Sequence, residues 1–74
     1  MSVATNAARL AAALAAVKAH PMCANLSDDG TRYLVTYPLG YFPDGARASQ
    51  GMGKALALER LLVVMERHWR ESFP

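Results

Sequence analysis

The stretch GKALALERLLVVMERHWR, residues 53–70, decides how this chain folds. At about 100° per residue, Ala55, Ala57, Leu58, Leu61, Leu62, Val64, Met65 and Trp69 fall on one half of a helix. Glu59, Arg60, Glu66, Arg67 and Arg70 fall on the other, and Glu71 extends that half. An apolar face this wide has to cover something, and only the preceding residues can supply it.

Those residues offer a second helix and a small sheet. Asn6 is suited to cap a helix running to about Ala19, with Leu10, Leu14 and Val17 as its buried stripe and Val3 extending the stripe backwards. Ala8, Ala12, Ala15, Ala16 and Ala19 form the opposite face. An inert exposed surface is favoured for them over a second packing surface. Pro21 ends the helix, because the residue before a proline avoids helical backbone angles.

Residues 22–26 read as a short strand. Ser27-Asp28-Asp29-Gly30 reads as a turn, with Gly30 at a position needing positive φ. Residues 31–37 are the best strand in the chain, Tyr33, Val35 and Tyr37 alternating with Arg32, Leu34 and Thr36. Pro38 stops it. Residues 38–45 form a loop broken by Pro38, Gly40, Pro43 and Gly45. Residues 46–49 make a brief third strand, and Ser49 or Gly51 opens the long helix.

The expected fold is α+β, in the order α-β-β-β-α, as a single domain over residues 1–74. The small antiparallel sheet carries both helices on one face, with the tyrosine side of the second strand turned towards them. The other face, bearing Cys23, Asn25, Arg32, Leu34 and Thr36, would be half apolar and free to meet a partner.

Composition narrows the function. The net charge is +2, from 8 basic and 6 acidic residues, and the basic residues are interleaved with Glu59, Glu66 and Glu71. This argues against nucleic acid as a direct ligand. With a single cysteine, Cys23, no internal disulfide forms, and Cys23, His20 and His68 lack the spacing of a zinc site. No cofactor or metal is expected. No stretch reaches the ~18 apolar residues of a membrane span. The apolar N-terminal run carries Arg9 and lacks the basic start of a signal peptide, so a cytoplasmic protein is expected. Fourteen alanines, six arginines and no isoleucine suit a GC-rich coding genome, bacterial or phage.

Catalytic candidates are few. His20 and Cys23 flank Pro21 at a helix end, where no scaffold fixes a thiolate beside a base, and a structural cysteine is favoured. His68, within the apolar arc three positions after Met65, reads as a rim residue touching the core. Gly51-Met52-Gly53-Lys54 fails the phosphate-loop pattern twice: Ala48 stands where the first glycine belongs, and Ala55 follows the lysine. It retains only the weak anion affinity of a helix start. No nucleophile and base can be paired, so an enzyme is not expected.

Binding candidates are clearer. Tyr41 and Phe42 sit side by side in the Pro/Gly loop, and two readings stand level. In one, Phe42 plugs the end of the core while Tyr41 lies on the surface. In the other, the pair is an aromatic anchor for a partner protein. Leu56 and Val63 lie on the charged side of the last helix and, with Arg60 and Arg67, form a contact stripe. Arg47 on the third strand completes the partner-binding set of Tyr41, Phe42, Arg47, Arg60 and Arg67.

Residues 22 onward resemble the partial RNase-H-like unit of HicB-type antitoxins. The resemblance is carried by Asp28-Asp29-Gly30, by Tyr33-Leu34-Val35-Thr36-Tyr37-Pro38, and by Gly51 leading into Ala55-Leu56. The helix over residues 6–19 lies outside that pattern. The whole chain resembles small phage and prophage α-β-β-β-α proteins, with Arg47-Ala48-Ser49 and then the alanine-rich Lys54-Ala55-Leu56-Ala57-Leu58. Some proteins of this build are anti-defence factors, including anti-CRISPR proteins. The element order is also similar to a double-stranded-RNA-binding domain, but that family wants a lysine cluster where this chain has only Lys54.

The phage-type resemblance implies a non-enzymatic inhibitor that sterically blocks a larger host protein, such as a component of bacterial CRISPR or another defence system. A nucleic-acid-binding or HicB-like toxin-neutralising module is the alternative expectation. A homodimeric structural subunit, closed through the open sheet or the alanine face, is a third.

Overall fold

The computed structural model describes residues 3–73, with side chains from Asn6 onward. The order is α1 (Val3–Ala19), β1 (Asn25–Asp28), β2 (Arg32–Thr36), β3 (Ala46–Ser49) and α2 (Lys54–Ser72). The three strands form one antiparallel sheet in the order β1-β2-β3. Leu26 pairs with Val35, and Val35 with Ala46, while Ser27 pairs with Leu34 and Leu34 with Arg47.

That register decides which side is dry. Side chains alternate across a strand, so Tyr33, Val35, Ala46 and, just past β2, Tyr37 share one face. All four are buried, and they pack in one cluster with Ala13 and Val17 of α1, Met22, and Ala57, Leu58, Leu61 and Met65 of α2. Leu10 and Leu14 pack against the same cluster. Both helices therefore lie on one side of the sheet. The thinnest Cα extent, 16 Å, holds two layers and no third. Each fully buried leucine, Leu58 or Leu61, contributes about 1.5–3 kcal/mol by leaving water.

Two bridges staple α1 to α2. Arg9 donates twice to the Glu59 carboxylate, with Nε at 2.7 Å, and His20 Nε2 lies 3.1 Å from Glu66 Oε2. Since 9 precedes 20 as 59 precedes 66, the helices run in the same sense. The alanines at 8, 12, 15, 16 and 19 are exposed, so within this chain they pack against no other element.

Several expected boundaries move. Helix α1 extends back to Val3, so Asn6 lies inside it and is not its cap; the alanine-rich run continues the helix past that residue. The expectation for the Val3 side chain lies outside the described residues. Strand β1 begins at Asn25, not Met22, because residues 20–23 form a tight corner closed by Cys23 N–H to the His20 carbonyl at 2.9 Å. That corner drives Met22 fully into the core. Cys23 packs against the core as well, and is absent from the open sheet face. That face is less apolar than expected: Leu34 stands among Asn25, Ser27, Arg32, Thr36, Arg47 and Ser49. Helix α2 starts at Lys54 behind Gly53, while Ser49 Oγ accepts the Gly51 N–H at 3.2 Å in the turn before it.

The loop over residues 38–45 is held by two successive turns, Tyr41 N–H to the Pro38 carbonyl and Gly45 N–H to the Phe42 carbonyl. Gly45 has φ +63°, and a Cβ there would sit 2.1 Å from the Val35 carbonyl oxygen. The loop returns to the sheet only because this position carries no side chain.

Candidate functional site

Five of the six aromatic residues, with both histidines, gather at the C-terminal end of α2. Helix periodicity places His68 and Trp69 on the core side of its last turns, and the loop over residues 38–45 folds up against them. Tyr37 Oη lies 2.8 Å from His68 Nδ1. Phe42 stacks on the His68 ring at 4.1 Å between centroids and meets Tyr37 edge-on. Beside them, Phe73 packs on Trp69 at 4.2 Å and on Tyr41 at 5.7 Å. Trp69 meets His20 edge to face. Such offset and edge contacts are each worth about 0.5–1.5 kcal/mol beyond the area they bury.

The cluster is packed beneath and apolar on top. Leu39, in the turn that carries Tyr41, is fully exposed, Phe42 is 36% exposed and Phe73 is 48% exposed. Tyr41 is half-buried and packs against the core, so it does not lie flat on the surface, while Phe42 covers Tyr37 and His68 and keeps an exposed edge. The sequence could not show this, because each ring is placed by a residue about 30 positions away. Leu39 was missed for a related reason: a leucine between proline and glycine carries no periodic signal.

The other residues of the expected binding set lie elsewhere. Arg47 pairs across from Leu34 on the open sheet face. Arg60 and Arg67 are exposed on the side of α2 turned away from the core. The open sheet face and the outer side of α2 are opposite surfaces of a two-layer body, so one flat contact cannot engage Arg47 together with Arg60 and Arg67.

Electrostatics at the candidate chemical groups is structural. The His20 ring accepts the Met22 N–H at Nδ1, 3.1 Å away, so Nε2 carries the proton given to Glu66. That hydrogen bond is the main cause of the lowered Glu66 pKa. Burial raises the Cys23 thiol pKa, the reverse of what an activated thiolate needs. Burial also raises the Tyr37 phenol pKa. At the start of α2, the Asp28 carboxylate accepts from Gly30 N–H at 2.9 Å and Gln50 Nε2 at 2.6 Å, and lies 3.9 Å from Lys54 Nζ. These contacts tie the β1–β2 turn to the segment that leads into α2, whose N-terminus carries no side-chain cap. No three His, Cys, Asp or Glu side chains among the described residues are grouped to hold a metal ion, and no helix among them is long and apolar enough to cross a membrane.

Fold and surface together define a two-layer α+β domain with one bare, polar sheet face and an apolar rim at the end of its long helix. No protein-family model matches the chain, and neither does any curated protein or solved structure.

Proposed function

We propose that this chain is a non-enzymatic protein-binding domain that works by covering a surface of a larger protein. The observation that carries the reading is the apolar rim: Leu39, Phe42 and Phe73 exposed around a packed aromatic base. Interfaces draw most of their energy from a few aromatic anchors held on a firm support. Phe42 and Phe73 already rest on His68, Trp69 and Tyr41, so little ordering cost remains for those two rings on binding. An interface of standard size takes about 800 Å² from each side, roughly a sixth of the 4911 Å² surface of this chain.

The narrower form of the reading is a phage-type inhibitor that blocks a bacterial defence protein in the cytoplasm by exclusion. The element order and alanine-rich composition shared with such proteins support it, and the raised Cys23 pKa suits a thiol that is not used chemically.

The test uses Leu39→Asp and Phe73→Asp together. Leu39 is fully exposed, so its substitution removes no internal packing. Phe73→Asp gives up contacts with Trp69 and Tyr41, so the Leu39→Asp single variant and helical circular dichroism are read alongside. Capture of a host protein from bacterial lysate by the tagged chain should fall at least about tenfold, the effect of losing one anchor worth 1.4 kcal/mol or more. Undiminished capture by the folded variant would overturn the reading.

A further inference from the structure

The outer side of α2 carries charge that the fold does not use. Glu59 is taken by Arg9, and Glu66 by His20 and Arg70. Among the described residues no carboxylate lies within 4 Å of Arg60 or Arg67, nor of Arg47 on the sheet face, whereas Arg9, Arg32 and Arg70 have ion-pair partners. Of those three unpaired arginines, only Arg60 and Arg67 share one face, with an exposed apolar side chain between them. Between Arg60 and Arg67, at i+3, stands Val63, 62% exposed. Beside Val63 a shallow groove opens where α1 ends, floored by Leu62 and edged by His20, Glu66, Arg67, Arg70 and Glu71. Helix periodicity puts Arg60 and Arg67 on the side of Val63 away from Glu66.

We propose that this stripe is a docking site for an acidic amphipathic helix of the partner protein. The proposal rests on the protein-binding reading above and adds a second contact, with its chemistry. Arg60 and Arg67 are two helical turns apart, about 10.5 Å along the axis. A partner helix with carboxylates at i and i+7 and a leucine between them at i+3 or i+4 matches that spacing. Its leucine would lie on Val63 and Leu62 while each carboxylate meets a guanidinium in the fork geometry arginine favours. A nucleic-acid duplex fits less well, since duplex affinity grows with the number of phosphates neutralised and this stripe offers two arginines interleaved with carboxylates.

The experiment titrates the isotope-labelled full chain with a synthetic helical peptide of about 15 residues, bearing Glu at i and i+7 and Leu between. The control peptide has Lys in place of both Glu. The acidic peptide should bind saturably and shift the amide signals of Leu62, Val63 and Arg67. The Lys peptide should bind at least about tenfold more weakly. The variant Arg60→Glu/Arg67→Glu changes two exposed side chains that hold no ion pair, and it should reverse the preference. Equal binding of both peptides, no saturable binding of the acidic one, or shifts centred on residues 38–45 or on the sheet would overturn the proposal. So would a short DNA duplex binding more tightly than the acidic peptide. The protein-binding reading is scored separately by lysate capture: capture lost with Leu39→Asp/Phe73→Asp but undiminished with Arg60→Glu/Arg67→Glu would leave that reading standing and overturn the acidic-helix site.

Discussion

Single residues hold the strands and loops of this domain in place, and two of them make sharp predictions. Gly45 combines a positive φ with a near-contact to the Val35 carbonyl. Gly45→Ala should destabilise the fold by about 2–3 kcal/mol, read as a lower urea midpoint with little change in slope. Asp29 accepts the backbone N–H groups of Thr31 and Arg32, each at 2.8 Å, and the Thr31 hydroxyl. These bonds lower its pKa to about 2. Hydrogen bonds or ion pairs lower Asp28, Glu59 and Glu66 as well. For a carboxyl group whose folded pKa lies below its unfolded value, the stabilisation is full above the unfolded pKa and is lost as pH falls through the folded one. Thermal stability should therefore decline on acidification from about pH 5 towards pH 2. Asp29→Asn should flatten the lower part of that decline, and a melting series across this range checks both.

At the level of elements, α2 is the plank on which the rest is assembled. Leu58, Leu61 and Met65 are fully buried from its middle turns. A domain of this length has roughly 4–11 kcal/mol of stability in all, and Leu61→Ala removes about 2–5 kcal/mol of it. That variant should be largely unfolded on mild warming, visible as loss of helical circular dichroism. The elements whose character is set within a few neighbouring residues were legible before any coordinates. The period of α2, the alternation of Tyr33, Val35 and Tyr37, and the breakers around β3 all agree with the fold. The expected strand at residues 22–26 was displaced because Met22 is claimed by the core through a corner that no local pattern announces. The same limit applied to the candidate site. Arg60 and Arg67 were legible as an exposed stripe from periodicity alone. The orientations of Tyr41 and Phe42 depend on His68 and Phe73, which only the tertiary fold brings near.

At the scale of the whole molecule, stacking both helices on one sheet face produces three distinct outer surfaces: the bare polar sheet, the outer side of α2, and the apolar rim at its end. The sheet face offers a partner fewer apolar anchors, since among the described residues Leu34 is its one large apolar side chain, set among hydroxyls, an amide and the guanidinium groups of Arg32 and Arg47. On the proposed reading a partner meets the rim and the α2 stripe, where exposed apolar side chains lie, and not the strands. Site-directed photo-crosslinking tests this most directly. A benzophenone side chain placed in turn at positions 39 and 34 should yield a covalent adduct with a host protein from position 39 and none from position 34. An adduct from position 34 with none from position 39 would put the contact on the sheet and contradict the account.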